Sequence, residues 1–361
     1  MNRKLNFNAG PSALPIEVLE QLQEHLVDFQ GDGISIIENS HRGKSFDALY
    51  HETLDLVREL LGVPEGYSVL FLGGGATLQF GMIPMNFLAL EAGADYIRSG
   101  SWSDGACKDA QKVGRVNLLF DGSSGGYTTL PAADTVKPTE GTSYLYLCSN
   151  ETIGGVQWKK WPETGSVPLI VDMSSDILSK PVPVDRFDMI FAGVQKNLGP
   201  AGATLIIMKD ELAKRSRDDL PGYLNYHAHI QKDGLMNTPP VFTIWAVKLV
   251  LEWVKAQGGA AAMDTLSQRK SSLLYGVIDS MGDFYRCPVD PLYRSTMNVV
   301  FRLPTEELEK EFITAAGKQG MVGLKGHRSV GGCRASIYNG VPEDSVEALA
   351  GFMKEFARTH G

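Results

Sequence analysis

Between residues 69 and 208 this chain carries seven short, nearly unbroken apolar runs: "SVLFL", "ADYIRSG", "RVNLLF", "SYLYLCS", "PLIVDMS", "FDMIFAG" and "ATLIIMK". A strand with one face in water alternates apolar and polar residues, whereas these runs are apolar at successive positions, which predicts strands covered on both faces. Helix-like segments separate them. The pattern therefore predicts an α/β layer structure, with a mostly parallel central sheet covered by helices.

Downstream the rhythm changes. "PPVFTIWAVKLVLEWVKAQGG" opens on Pro and closes on Gly-Gly, the start and stop signals of a long helix, and it leads out of the large unit. A helix near 260–281, "MNVVFRL", the amphipathic "TEELEKEFITAAGKQG", "CRASIY" and a last helix near 343–358 read as a smaller α+β domain. The first fourteen residues, with three Asn, Gly and Pro, read as an extended arm. The expected division is a large domain over 15–258 and a small domain made of 1–14 with 259–361. A chain of 361 residues accommodates both.

The formal net charge of -8 gives no sign of nucleic-acid binding, so any basic site is local. The start "MNRKLNFNAGPSALP" has no apolar run of the secretory type, and Lys248 and Glu252 interrupt the most apolar segment. The expectation is a cytoplasmic protein without a membrane span. Cys107, Cys148, Cys287 and Cys333 form no C-x-x-C pair and have no zinc-like spacing with His, so they are expected as reduced, mostly buried thiols. "HAH" at 227–229 lacks a third ligand nearby. It is read as a surface loop at a subunit contact rather than as a metal site.

Three features then fall into one chain order. "LFLGGGATLQFG" at 70–81 joins a strand to a helix beginning near Thr77, and glycines at a helix N-terminus suit a phosphate. It departs from G-x-G-x-x-G, since Leu78 takes the third glycine position, which disfavours a dinucleotide. Asp172 ends the strand of "PLIVDMSSDIL", where it either holds a cationic ring nitrogen or caps a turn. Lys196 follows the next strand in "GVQKNLGPAG", and a desolvated lysine with a lowered pKa forms a Schiff base with an aldehyde such as pyridoxal phosphate. Trp102 in "SGSWSDGA" either stacks on a flat ring or packs in the core. Two polar loops, "SHRGKSF" at 40–46 and "GLKGHRSVGGCRASIYN" at 323–339, each place His before Arg, a composition suited to carboxylate or phosphate.

With "FNAGPSALP", "SHR", "GSWS", "DMSSDIL", "GVQKNLGPAG", "NTPP" and "GHRSVGGCRASIYN", the chain resembles, over nearly its whole length, the phosphoserine aminotransferase family. That family lies in the class V group of fold type I pyridoxal-phosphate enzymes. The resemblance implies that Lys196 carries the cofactor and that Asp172 pairs with its ring nitrogen. Trp102 would stack on the ring and Thr152 would bond its phenolic oxygen. Its phosphate would meet Ala76, Thr77 and Gln195, with Asn237 and Thr238 from a second subunit, so the active form would be a homodimer with shared sites. Arg334 would take the α-carboxylate, and His41, Arg42, His327 and Arg328 would surround the distal phosphate or γ-carboxylate. Some members carry an arginine where this chain has Thr77. The implied reaction is reversible amino transfer between L-glutamate and 3-phosphohydroxypyruvate. The rival readings are another class V enzyme, such as a different transaminase or a desulfurase, and, from other classes, a nucleotide-dependent dehydrogenase or a phosphate-ligand binding protein.

Overall fold

Each of the seven apolar runs is a strand of one sheet in the computed structural model, which describes residues 3–361. In chain order they are β1 (Tyr67–Gly73), β2 (Ala94–Arg98), β3 (Val116–Asp121), β4 (Leu145–Cys148), β5 (Leu169–Asp172), β6 (Met189–Gly193) and β7 (Ala203–Lys209). In space they run β1-β7-β6-β5-β4-β2-β3. All neighbours pair in parallel except β7, which is antiparallel to both β1 and β6. The cause is local: β6 and β7 are joined by the tight loop 194–202 with no crossover helix, so the chain must turn straight back.

Successive residues of each strand feed opposite cores, as unbroken apolar runs require. Val69 and Phe71 face one hydrophobic cluster, and Leu70 and Leu72 face the other. The first cluster is closed by α1 (Ile16–Glu24), α2 (Lys44–Leu61) and α5 (Val241–Ala256), through residues such as Val18, Phe46, Ile244 and Trp245. The second is closed by α3 (Ala76–Phe87) and α4 (Ser101–Ala110), through Phe80, Ile83, Ala106 and Cys107.

A third cluster lies apart from the sheet. It gathers Phe7 and Ala13 near the start of the chain, Leu274 and Val277 of α6 (Gly259–Ser280), and Val299 and Phe301 of β8 (Asn298–Phe301). Phe312 of α7 (Glu306–Lys318), Ala335 of β9 (Cys333–Ser336) and Leu349 of α8 (Glu343–His360) complete it. Strands β8 and β9 pair antiparallel, and Leu5–Asn6 pairs in parallel with Met321–Val322. A buried polar chain ties this cluster to the large sheet. Asn150 Nδ2 donates to Ser175 Oγ and Asn298 Oδ1, both at 2.8 Å; Asn298 Nδ2 donates to Tyr338 Oη at 3.1 Å, and Tyr338 donates to the Ala9 carbonyl at 2.8 Å.

The segment containing "HAH" departs from the expected loop. Asn225 caps a short helix, Tyr226–Ile230, by accepting from the Ala228 N–H at 2.9 Å. His229 is buried with Nε2 2.8 Å from the Tyr223 carbonyl, while His227 lies 3.0 Å from Gln231, so neither ring is presented as a ligand pair. Among the described residues no helix is long and apolar enough to cross a membrane.

Candidate active site

The carboxyl ends of the parallel strands form the floor of a pocket bordered by Ala76, Trp102, Asp172 and Lys196. This is the edge at which open α/β sheets place their ligands. Asp172 is the last residue of β5, where it is 4% exposed and borders the pocket. One carboxylate oxygen accepts the Ser174 N–H at 2.8 Å, so Asp172 both caps the turn and lines the pocket. Burial pushes its pKa up, opposed by the Ser174 hydrogen bonds and by the Lys196 charge. Asp176 turns the other way, accepting from Ser149 Oγ and from Gln157 Nε2.

Lys196 follows β6 in the tight loop and is 8% exposed. Its Nζ donates to Thr152 Oγ1 at 2.6 Å and stands 5.4 Å from the centre of the Trp102 ring. Burial pulls its pKa below the ordinary lysine value, with Asp172 acting in the opposite direction. The loop is clamped from two sides. Ser12, in the N-terminal arm, donates its N–H to the Gln195 carbonyl at 3.1 Å and its hydroxyl to the Lys196 carbonyl. Helix α5 presses on the far side, where a Cβ at Gly202 would come 2.8 Å from Thr243 Oγ1; with φ at +131° that position requires glycine.

Opposite Asp172, helix α3 begins at Ala76 after Gly75, with no side chain capping its first turn, and Gly75, Ala76 and Thr77 border the pocket. Its leading N–H groups are left free for an anion. Gln195 and Trp102 complete the walls. Arg334, on β9, is buried and donates from Nη1 to the Thr152 carbonyl at 3.2 Å, which places it beside the lysine.

The structure thus brings Ala76, Thr77, Trp102, Asp172, Gln195 and Lys196 into one pocket, and ties Thr152 and Arg334 to it through the bonds from Lys196 to Thr152 and from Arg334 to Thr152. It does not bring the remaining sequence-predicted residues to this pocket. Asn237 and Thr238 are exposed ahead of α5. His41 and Arg42 lie in the turn before α2, where the Arg42 N–H bonds Ser40 Oγ at 3.2 Å. His327 and Arg328 border a separate surface cavity, and the His327 ring is 2.7 Å from Ser329 Oγ.

Pyridoxal phosphate fits the residues present. The pocket holds a buried amine, a buried carboxylate bonded by the Ser174 N–H, and an uncapped helix start. An aldehyde, a cationic ring nitrogen and a phosphate match these in turn. Cys333 fits no mobile nucleophile: it is buried in β9 and burial pushes its thiol pKa up.

Glu151 carries a structural role at this site that the sequence reading missed. It is 1% exposed, between Asn150, which lines the pocket, and Thr152, which accepts from Lys196, and it accepts hydrogen bonds from the first turn of α4. The signal available in the sequence was an acidic residue two positions after the apolar run "SYLYLCS", where a solvated carboxylate is out of place.

Comparison with known proteins agrees with this chemistry. The sequence pattern of the family described as "Aminotransferase class-V" matches residues 4–349. A phosphoserine aminotransferase from Halalkalibacterium halodurans is 51% identical over 360 residues, covering 100% of both chains. The solved phosphoserine aminotransferase from Bacillus circulans subsp. alkalophilus has a TM-score of 0.98 at 49% identity and covers 100% of each chain. A phosphoserine aminotransferase from Trichomonas vaginalis, solved with PLP bound, has a TM-score of 0.89 at 35% identity, covering 98% of this chain and 100% of its own.

Proposed function

This chain belongs to the class-V aminotransferase family, and we propose that it catalyses reversible, pyridoxal-phosphate-dependent amino transfer between L-glutamate and 3-phosphohydroxypyruvate. The products are 2-oxoglutarate and O-phospho-L-serine, a step of L-serine biosynthesis. The observation that carries the reading is the buried Lys196 amine, held by Thr152 in a pocket shared with Asp172 and the uncapped start of α3. The full-length relatives named phosphoserine aminotransferase support the choice of substrates.

When bound, pyridoxal phosphate supplies an electrophilic aldehyde carbon and a ring that draws electrons from it. Lys196 holds the group. Because burial favours its neutral form, Nζ is the base that takes the proton from the α-carbon of the amino donor and later returns one. Asp172 offers its carboxylate to the ring N–H, a cationic partner that favours the ionised state against desolvation. Trp102 would cover one face of the bound ring and Thr152 Oγ1 would bond its phenolic oxygen. Ala76, Thr77 and Gln195 would receive the phosphate, with threonine at 77 offering a hydroxyl but no charge.

Arg334 pairs with the α-carboxylate of either substrate, supported by its place beside Thr152. His41, Arg42, His327 and Arg328 receive the distal phosphate or γ-carboxylate, which concentrates basic groups in a chain of net charge -8. Two copies complete each site, with Asn237, Thr238 and several of these basic residues crossing from one to the other; their exposure away from their own pocket supports this. The large unit of the enzyme is 15–258, and the small unit joins 1–14 to 259–361.

Glutamate-dependent formation of phosphoserine tests the reading directly. Lys196→Ala is expected to lose turnover while keeping the native melting transition, and normal turnover in that variant would overturn the role of Lys196. Mixing Lys196→Ala with Arg42→Ala tests the shared site. An inactive protein and a weakly binding one should regain activity on subunit exchange.

A further inference from the structure

Helix α4 carries Trp102 in its first turn, and its cap is unusual: the cap residue is Gly100, which has no side chain to offer. The first N–H groups of a helix have no partner within it and are ordinarily satisfied by a capping side chain. Here Glu151 reaches across from the segment that follows β4, the strand paired with β2. Its Oε2 accepts the Trp102 N–H at 3.0 Å, and its Oε1 accepts the Ser103 N–H at 3.0 Å and the Ser103 hydroxyl at 2.6 Å. Ser103 Oγ in turn accepts the N–H groups of Ser99 at 2.9 Å and Gly100 at 3.0 Å. The glycine is what admits the carboxylate, since a Cβ at residue 100 would fall 2.3 Å from Glu151 Cδ. Residue 100 has exchanged its own capping side chain for room for one supplied from elsewhere.

The next residue explains why that matters. Thr152 accepts from Lys196 Nζ through its hydroxyl and from Arg334 through its carbonyl. One dipeptide therefore touches the indole-bearing helix, the amine and the guanidinium. Resting on the amino-transfer reading above, we propose that Glu151 is the positioning residue of this site, gripping the start of α4 so that the Trp102 indole keeps its place relative to Lys196 and Thr152. A carboxylate suits the task because a helix N-terminus favours negative charge and both oxygens are needed as acceptors. Glutamine at 151 presents one acceptor and one N–H₂ that opposes the helix N–H groups.

The test uses Glu151→Gln in the full chain, with and without pyridoxal phosphate. In the cofactor-free protein, amide hydrogen exchange at Trp102 and Ser103 is expected to quicken by about tenfold or more, the loss of roughly one charge-assisted hydrogen bond. In the loaded protein, visible circular dichroism of the bound cofactor is expected to change, and kcat to fall by about ten- to a hundredfold with the KM for glutamate little altered, as a misplaced wall requires. Gly100→Ala, which displaces Glu151 sterically, should reproduce both signatures. Native exchange at those two amides, or a lowered melting temperature with an unchanged cofactor spectrum, would overturn the inference and reduce Glu151 to a fold-stabilising cap. Where Glu151→Gln does not fold, Ser103→Ala removes one donor to the same carboxylate; unchanged exchange and spectrum in that variant overturn the inference equally. Absence of amino transfer in the unaltered protein would instead sink the functional reading, leaving the exchange result to stand on its own.

Discussion

Two buried lysines show how burial is used differently in one molecule. Lys196 faces a pocket built to receive a reactive group, whereas Lys270, on α6 and 0% exposed, is bonded to two carbonyls. Its Nζ donates to the carbonyls of Tyr338 at 2.7 Å and Val341 at 2.9 Å. A neutral amine has two N–H groups, so both are satisfied and no charge is needed. Burial pulls the Lys270 pKa down to about 7, with Glu343 opposing. Between that value and the unfolded value of about 10.4 the unfolded chain binds more protons than the native one, so stability rises with pH across this window and is lost as pH falls to 7. The expected slope from this group is up to about 1.4 kcal/mol per pH unit, read from urea midpoints at pH 7 and 9, and Lys270→Met should lack it. At this scale the sequence was readable where a residue type is chemically improbable in its setting, as with Lys196 after an apolar strand. Glu151 was missed because its partners, Trp102 and Ser103, are separated from it along the chain and meet it only in the fold.

The elements were more legible than their directions. Unbroken apolar runs mark strands because both faces must be apolar, yet a run reads the same either way along its length. The antiparallel entry of β7 follows from the short loop after Lys196 rather than from any residue within β7. Helix α2 begins at Lys44, inside a stretch whose basic residues had marked it only as a loop, because Phe46, Leu49, Tyr50 and Val57 form a stripe that meets the sheet. The third cluster offers a test of independence between elements. Phe312 is fully buried, with Phe301, Phe352 and Phe356 at ring distances of 5.6, 5.0 and 5.2 Å. Phe312→Ala is expected to cost about 3–5 kcal/mol in denaturant unfolding, while the visible absorbance of the protein with added pyridoxal phosphate stays native.

Across the whole molecule, charge and chain order are arranged on a larger scale than any motif. Both proposed substrates carry at least two anionic groups and meet a protein of net charge -8, so their capture depends on local basic groups rather than on the overall field. Raising ionic strength from about 0.02 to 0.5 M should therefore lower kcat/KM for the phosphorylated keto acid several-fold, with the melting temperature little changed. Arg42→Ala and Arg328→Ala should blunt that salt dependence and weaken binding more than turnover. The pairing of Leu5–Asn6 with Met321–Val322 also has a consequence in time. The partners are 316 residues apart (321 − 5), and at synthesis rates of 5–20 residues per second the arm emerges roughly 15 to 60 s before the strand it will join. During that interval Phe7 has no core to enter, and Ser12 has no completed unit behind it when it meets the lysine loop. The large sheet is free to form on the ribosome, but the clamp on its reactive amine is one of the last parts of the enzyme to be assembled.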